Sequence, residues 1–387
     1  MPAARVSSAV MTHPVRRAQA EELCARLGLG GLAMDPDPDG DPSALRTALV
    51  AWSRIAEGAT HQLMIQDDVA APRDLLDLVA HCADRFPDDA LAYYTNWHAR
   101  NGAAARLAAL AGAGWVRAVP EEFTPTLAIV LPVALADAFR AYAGKTGERH
   151  DDEVMAAFLR QDGRRSALLA VPTVTEHTGT SSINGHAAQG VRKAVCPAGS
   201  DDARPALTRG WVLEELDWLP YMRYGAGFIR LPGQDATPDA RSHFTWREAL
   251  PRTGLTEELI QETARRERPE DTAAAVRKVF GESFADELWI HCLLLGRQAE
   301  AAARRHAPAA AGTPTATAGT PTATAGTPTA AEERLKAAAV STVGVAGLSP
   351  ERRPEVDQAH TELFSAYAWS AVRSGAALLD GAPADRR

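Results

Sequence analysis

Only four cysteines occur in 387 residues, and Cys24, Cys82, Cys196 and Cys292 lie far apart with no Cys-x-x-Cys pair. That spacing excludes a disulfide framework and a cysteine-based zinc site, and it fits a reducing compartment. Excess positive charge is also missing. The formal net charge is -8, whereas a general nucleic-acid binder needs a basic face to replace the counterions around phosphates, so no nucleic-acid partner is expected. Long apolar runs are absent too: the longest, around residues 127–135, is broken by Pro132 and is too short to span a bilayer. The N-terminal residues show no charged segment followed by a sustained apolar core. The expected setting is cytoplasmic, with no membrane span.

What is present is the composition of a folded protein, with 46% hydrophobic residues. The length exceeds one compact core, which predicts two domains or one large domain with an appendage. The first 70 residues read as strand (5–11), helix (15–27), strand (32–34), helix (43–52 with Ser43 as cap) and strand (63–65). Such a β-α-β-α-β order predicts an α/β fold with a mainly parallel sheet and helices on both faces. Ligands gather at the carboxyl ends of strands in such sheets. Asp35 follows the second strand, in the turn-rich loop Asp35-Pro36-Asp37-Pro38-Asp39-Gly40, and Asp67-Asp68 follow the third. All three acids are therefore expected along one edge.

Further on, the pattern predicts a helix over 73–85, strands over 91–94 and 127–131, and a helix from Pro132 to Tyr142. Asp151-Asp152-Glu153 suit a helix N-terminus electrostatically, and a strand over 167–171 leads through Pro172 to His177-Thr178-Gly179. From Trp211 to Phe244 the chain turns aromatic, as a satellite core or the lining of a groove for a sugar or partner. Residues 256–304 have helical spacing. There His291 and Cys292 fit an apolar pattern and read as packing residues. Between 311 and 331 the unit Ala-Gly-Thr-Pro-Thr-Ala-Thr recurs, the last time with a changed end, which predicts a flexible linker. Amphipathic helices over 332–340 and 354–379 follow, able to dock on the body or mediate association. The divisions expected are 1–200, 201–305, 306–330 and 331–387.

Adjacent acids at the end of a buried strand can hold a divalent cation over a sheet and neutralise a diphosphate leaving group. Acids are also common at strand ends and helix caps, and Pro72 suits a first helical turn.

The order of elements resembles a GT-A type glycosyltransferase, in particular a loosely described actinobacterial and phage group. The matching residues are Val10-Met11-Thr12-His13-Pro14 with Arg16 or Arg17, the Asp35 loop, the helix from Thr47 to Trp52, His61 through Asp68, and the segment from Asp152 to His177. The resemblance covers roughly the first 190 residues and leaves an α-rich C-terminal region outside it. It implies a Rossmann-like GT-A fold with a mixed, mainly parallel sheet, and a nucleotide-sugar donor whose diphosphate is bridged by Mn2+ or Mg2+. By position, Asp68 becomes a metal ligand, Asp67 its partner or a donor contact, and Asp35 a nucleoside contact. Thr12 and Arg16 fall where the nucleotide binds, Arg46 within reach of a phosphate, and His13 as a lesser donor contact. Asp152 takes the place of the catalytic base of inverting members, with Asp151 beside it, and paired acids raise the proton affinity of one of them. His177 completes the metal shell or contacts the diphosphate, with Ser181 and Ser182 in the same loop.

Gln66 departs from the pattern, standing where many relatives carry an acid. One charge fewer weakens cation affinity. The leading expectation is a metal-dependent, inverting glycosyltransferase acting on an unidentified acceptor. The alternative is a GT-A-like nucleotide-sugar-binding or scaffold protein without catalysis. A metal-dependent phosphohydrolase is less well matched, because no Asp-x-Asp nucleophile or His-Asp metal cluster adjoins the pair.

Overall fold

Both faces of the main sheet are covered, which is why its strands read as unbroken apolar runs rather than alternating ones. The computed structural model describes residues 3–98, 100–161, 165–178, 192–232, 243–306 and 329–379. Ser181, Ser182 and nearly all of the Ala-Gly-Thr-Pro repeat lie outside them. The chain opens with β1 (Val6–Thr12), a 3-10 turn, α1 (Arg17–Leu27), β2 (Leu32–Met34), α2 (Ala44–Ser53) and β3 (His61–Gln66). Gly28, at φ 66°, ends α1 in the left-handed conformation that glycine adopts without strain. Ser43 caps α2 as expected, its hydroxyl accepting from the Arg46 amide at 3.2 Å.

There follow β4 (Val69–Ala70), α3 (Leu75–Arg85), β5 (Leu91–Ala92), α4 (Arg100–Ala111), β6 (Trp115–Arg117), β7 (Ala128–Pro132) and α5 (Val133–Ala143). Next come α6 (Asp151–Leu159), β8 (Leu168–Ala170), β9 (Glu176–His177), α7 (Ser200–Arg209) and β10 (Val212–Leu213). Eight strands form one sheet in the order β10-β6-β8-β5-β7-β3-β1-β2. β1 pairs in parallel with β2 and β3, and β5 with β8, while β7 enters antiparallel between β3 and β5. The sheet is thus mixed, though mostly parallel. Apolar runs mark where strands are and carry no direction, so this inserted antiparallel strand was not visible in the element order.

Along β3 the side chains alternate between two cores. Leu63 and Ile65 pack with Leu23, Leu78 and Val79 of α1 and α3, and Met64 packs with Leu45, Trp52 and Phe139 of α2 and α5. Helix α4 is buried almost all round. One side meets the sheet and the other meets the C-terminal helices, so its Ala-rich sequence carries no polar stripe.

The C-terminal part holds an antiparallel sheet of β11 (Leu219–Arg223), β12 (Ala226–Arg230) and β13 (His243–Thr245). Around it lie α8 (Trp246–Ala249), α9 (Glu257–Glu267), α10 (Glu270–Phe280), α11 (Glu282–His306), α12 (Ala330–Ser341), α13 (Val343–Gly347) and α14 (Gln358–Ala377). Trp218, Trp246, Trp289, Phe284 and Phe364 form their common core. Much of the aromatic stretch is therefore packing. Helices α11 and α14 approach to backbone contact, since a Cβ on Gly296 would overlap the Val372 carbonyl oxygen and one on Gly375 that of Leu293. His291 and Cys292 are buried in α11 as packing residues. The α-rich part is tied to the sheet through α4, where Arg106 donates to the Thr342 hydroxyl at 3.0 and 3.1 Å and to its carbonyl at 3.2 Å. Among the described residues, no helix is long and apolar enough to cross a membrane.

Candidate active site

The site lies at the carboxyl end of β3, where the chain leaves the sheet through Asp67 and Asp68. Two short pairings assemble it. Asp35, directly after β2, donates its amide to the Thr12 carbonyl at 2.9 Å, extending the β1–β2 ladder and bringing its carboxylate to the end of β1. Val69 pairs with His177 in the β4–β9 ladder, which lays His177 against Asp68 although the two are far apart in sequence. Thr178 fixes the junction, its amide and hydroxyl both donating to the Asp68 carbonyl at 2.9 and 3.0 Å.

The neighbouring acids have different surroundings. Asp67 has both oxygens engaged: Thr12 Oγ1 donates to Oδ2 at 2.5 Å and Arg16 Nη1 donates to Oδ1 at 3.1 Å. Burial, with the charge of Asp68 added, still raises its pKa against the pull of Thr12 and Arg16. Asp68 presents Oδ2 to Arg16 Nη1 at 3.3 Å and to His177 Nε2 at 3.3 Å. Burial pushes its pKa up, but His177, Arg16 and Arg192 outweigh burial and hold the carboxyl below its ordinary value. Its Oδ1 is buried with no hydrogen-bond partner among the described residues. Asp68 also lines a cavity, and a buried acceptor left without a partner marks the residue as a candidate ligand.

His177 Nε2 also lies 3.1 Å from Arg192 Nη2. With a proton on Nε2, the ring donates to Asp68. Without one its single lone pair accepts from Arg192, so a cation would take Nε2 only in place of Arg192. Asp68 and His177 are the two side chains here that could hold a divalent cation. Asp67 is spoken for by Thr12 and Arg16, so it holds Arg16 in place and is not placed as a ligand. Among the described residues, no group of three or more His, Cys, Asp or Glu is arranged to hold a metal. A hard cation bound here would draw its remaining oxygens from a diphosphate and water, the usual habit of Mg2+.

Thr12, Arg16, Asp35, Asp67 and Asp68 line one cavity of 170 Å3. His13 lines it too, and its ring bridges to the 35–40 loop: Nδ1 accepts from the Val15 amide at 3.3 Å, which leaves Nε2 to donate to the Pro38 carbonyl at 3.2 Å. Arg46 does not line it. Its guanidinium grips Asp35 at 2.7 and 2.9 Å and the carbonyls of Asp37 and Asp41 at 2.6 and 3.1 Å, so it shapes the Asp35 loop instead of reaching for a phosphate. That bidentate bond is the chief cause of the lowered pKa of Asp35, with burial opposing it.

A larger cavity of 430 Å3 adjoins the first, and the two share Gln66, Thr126, His150, Asp152 and Arg192 as lining. Asp152 thus stands at the junction. Its Oδ1 accepts from the Glu153 amide at 2.9 Å in the first turn of α6. Asp151 is turned inward and buried, with Oδ2 lacking a partner among the described residues. Burial first, and the charge of Asp152 second, push its pKa well above the usual carboxylate range despite a bond from Thr126. The raised proton affinity falls on Asp151, chiefly through burial, and Asp151 lines the smaller cavity beside Asp152 without reaching the larger one.

A raised folded-state pKa contributes stability that is complete below the unfolded value of about 4 and is lost as pH rises through the folded value. Asp151→Asn removes that loss. The variant is expected to melt with the wild type near pH 4 and above it at pH 8; a melting temperature below wild type at pH 8 would contradict this placement.

Sequence reading missed Arg192, Tyr94, His98, Arg100 and Arg353, which line the larger cavity. The basic pair Arg192-Lys193 after a Gly- and Ser-rich stretch was the one available signal. The chain matches no protein-family model, and no curated protein is significantly similar to it.

Proposed function

We propose that the chain is an inverting glycosyltransferase that moves a sugar from a nucleotide donor to an acceptor hydroxyl. The observation that carries this reading is the ionised, half-orphaned Asp68 at a strand end, in a cavity that also gathers Thr12, Arg16 and Asp35 and opens onto a second cavity at Asp152. The smaller cavity holds the donor nucleotide, with Asp35 contacting the nucleoside and Arg46 bracing its loop. Thr12 holds Asp67 and Asp67 fixes Arg16, whose guanidinium would face the diphosphate. Asp68 and His177 would hold Mn2+ or Mg2+, which when bound offsets the charge building on the departing diphosphate. Asp152 accepts the proton of the acceptor hydroxyl as that oxygen bonds to the anomeric carbon and the sugar–diphosphate bond breaks. The larger cavity takes the acceptor.

A binding protein without catalysis is the second reading, favoured by the two-donor count at the cation position. Nucleotide sugars tested one by one with Mn2+ by thermal shift, then by release of nucleoside diphosphate, separate the two. The enzyme shows a shift and slow release with the same donor. A shift without release supports the binder, and neither response from any donor would sink both.

A further inference from the structure

Among the residues that line the larger cavity, cationic side chains are prominent. Arg100, Arg223 and Arg353 line it together with His98, Tyr94 and Tyr224. Its carboxylates are Glu122, Asp152 and Glu153. Glu122 is already held by Arg100, at 2.9 Å from Nε, and the other two stand at the α6 end. Arg100 keeps Nη1 buried with no hydrogen-bond partner among the described residues. Arg106, buried nearby, donates to the neutral oxygens of Thr342. His98 is partly buried among these cations. Burial lowers its pKa to about 3, and Arg353, Arg106, Arg192 and Arg223 each add to the lowering. Its Nδ1 is buried with no partner among the described residues.

The hairpin at the mouth points the same way. The β11–β12 turn is Tyr224-Gly225, with φ of 52° and 83°. Asn-Gly is the usual choice for such a turn, and a tyrosine there is strained by roughly 1–3 kcal/mol. Strain of this kind gathers at functional sites. The turn is pinned by a bond of 2.7 Å from the Gly225 amide to the Gly347 carbonyl. It holds Tyr224, 60% exposed, at the opening, with the Arg223 guanidinium 4.9 Å from its ring centre.

We infer that the acceptor is an anion, its phosphate or carboxylate group seated on Arg223 and Arg353 with its hydroxyl-bearing end toward Asp152. Guanidinium groups that line one cavity are stabilised by an oxyanion, and arginine's planar fork suits one. This names the acceptor class of the proposed transfer and rests on that reading, yet binding of the anion can be measured without turnover. Inorganic phosphate and acetate, the two sources of such a charge, serve as probes on the full chain, by calorimetry in the presence of saturating nucleoside diphosphate. At least one of them is expected to bind. Arg353→Gln and the surface variant Arg223→Ala should each weaken it about 10- to 100-fold. Tighter phosphate identifies a phosphomonoester acceptor, and equal or tighter acetate a carboxylate one. Binding of neither probe overturns the inference, as does a probe displaced by nucleoside diphosphate or held equally by Arg223→Ala. A chain that binds phosphate as described but releases no nucleoside diphosphate keeps the anion site and loses the transfer.

Discussion

Asp68→Asn is expected to lower kcat/KM by about 1,000-fold or more while the protein stays folded. The substitution keeps the volume and one oxygen, so the β3 end and its packing survive. What disappears is the negative charge next to an oxygen that nothing else in the described structure satisfies. The carboxyl is held below its ordinary pKa even though burial opposes ionisation, because His177, Arg16 and Arg192 surround it. A depressed pKa contributes stability above the unfolded value of about 4 that is lost as pH falls through the folded value, so the variant should melt slightly lower at pH 7 and like the wild type in strong acid. Initial rates with the best donor, beside a melting curve for each protein, check both parts. Undiminished turnover would remove Asp68 from the chemistry.

Asp152→Asn is expected to lower kcat by about 100- to 10,000-fold with little change in donor affinity. The reason is position. Asp152 belongs to the lining of both cavities, whereas Asp151 lines only the smaller one and, being buried, favours its protonated form. A base acting at that junction removes its proton only in the reacting complex, so its loss falls on kcat and leaves the binding constants nearly alone. Asparagine also removes the acidic limb of the pH–rate profile. A variant that turns over fully, or one whose defect lies wholly in donor KM, would disqualify Asp152 as the base.

Much of the smaller cavity was legible in the amino-acid sequence. The run Leu63-Met64-Ile65 ends in Asp67-Asp68, Ser43 caps α2, and Asp35 sits where β2 stops, because each rests on local rules of strand ends and caps. The division of labour within the acid pair was not. It depends on Thr12 and Arg16 reaching across from β1 and its following turn, and no spacing within the 63–68 segment reveals that. Arg46 read as a helix-start cation, on the surface or within reach of a phosphate, yet the Asp35 carboxylate and the carbonyls of Asp37 and Asp41 supplied nearer partners. Residues 95–126 gave no reading at all. Their helix, α4, is apolar on every side, so the periodicity that marks a surface helix is absent. The larger cavity draws on positions from Gln66 to Arg353, and its Tyr221–Tyr224 and Arg353 side comes from the C-terminal part packed on α4.

The most direct test of the account is Mn2+ binding to the full chain in the presence of a nucleoside diphosphate, followed by electron paramagnetic resonance. The wild type should take up the ion, and Asp68→Asn should bind it at least about 10-fold more weakly. Equal uptake by the two proteins would contradict the account.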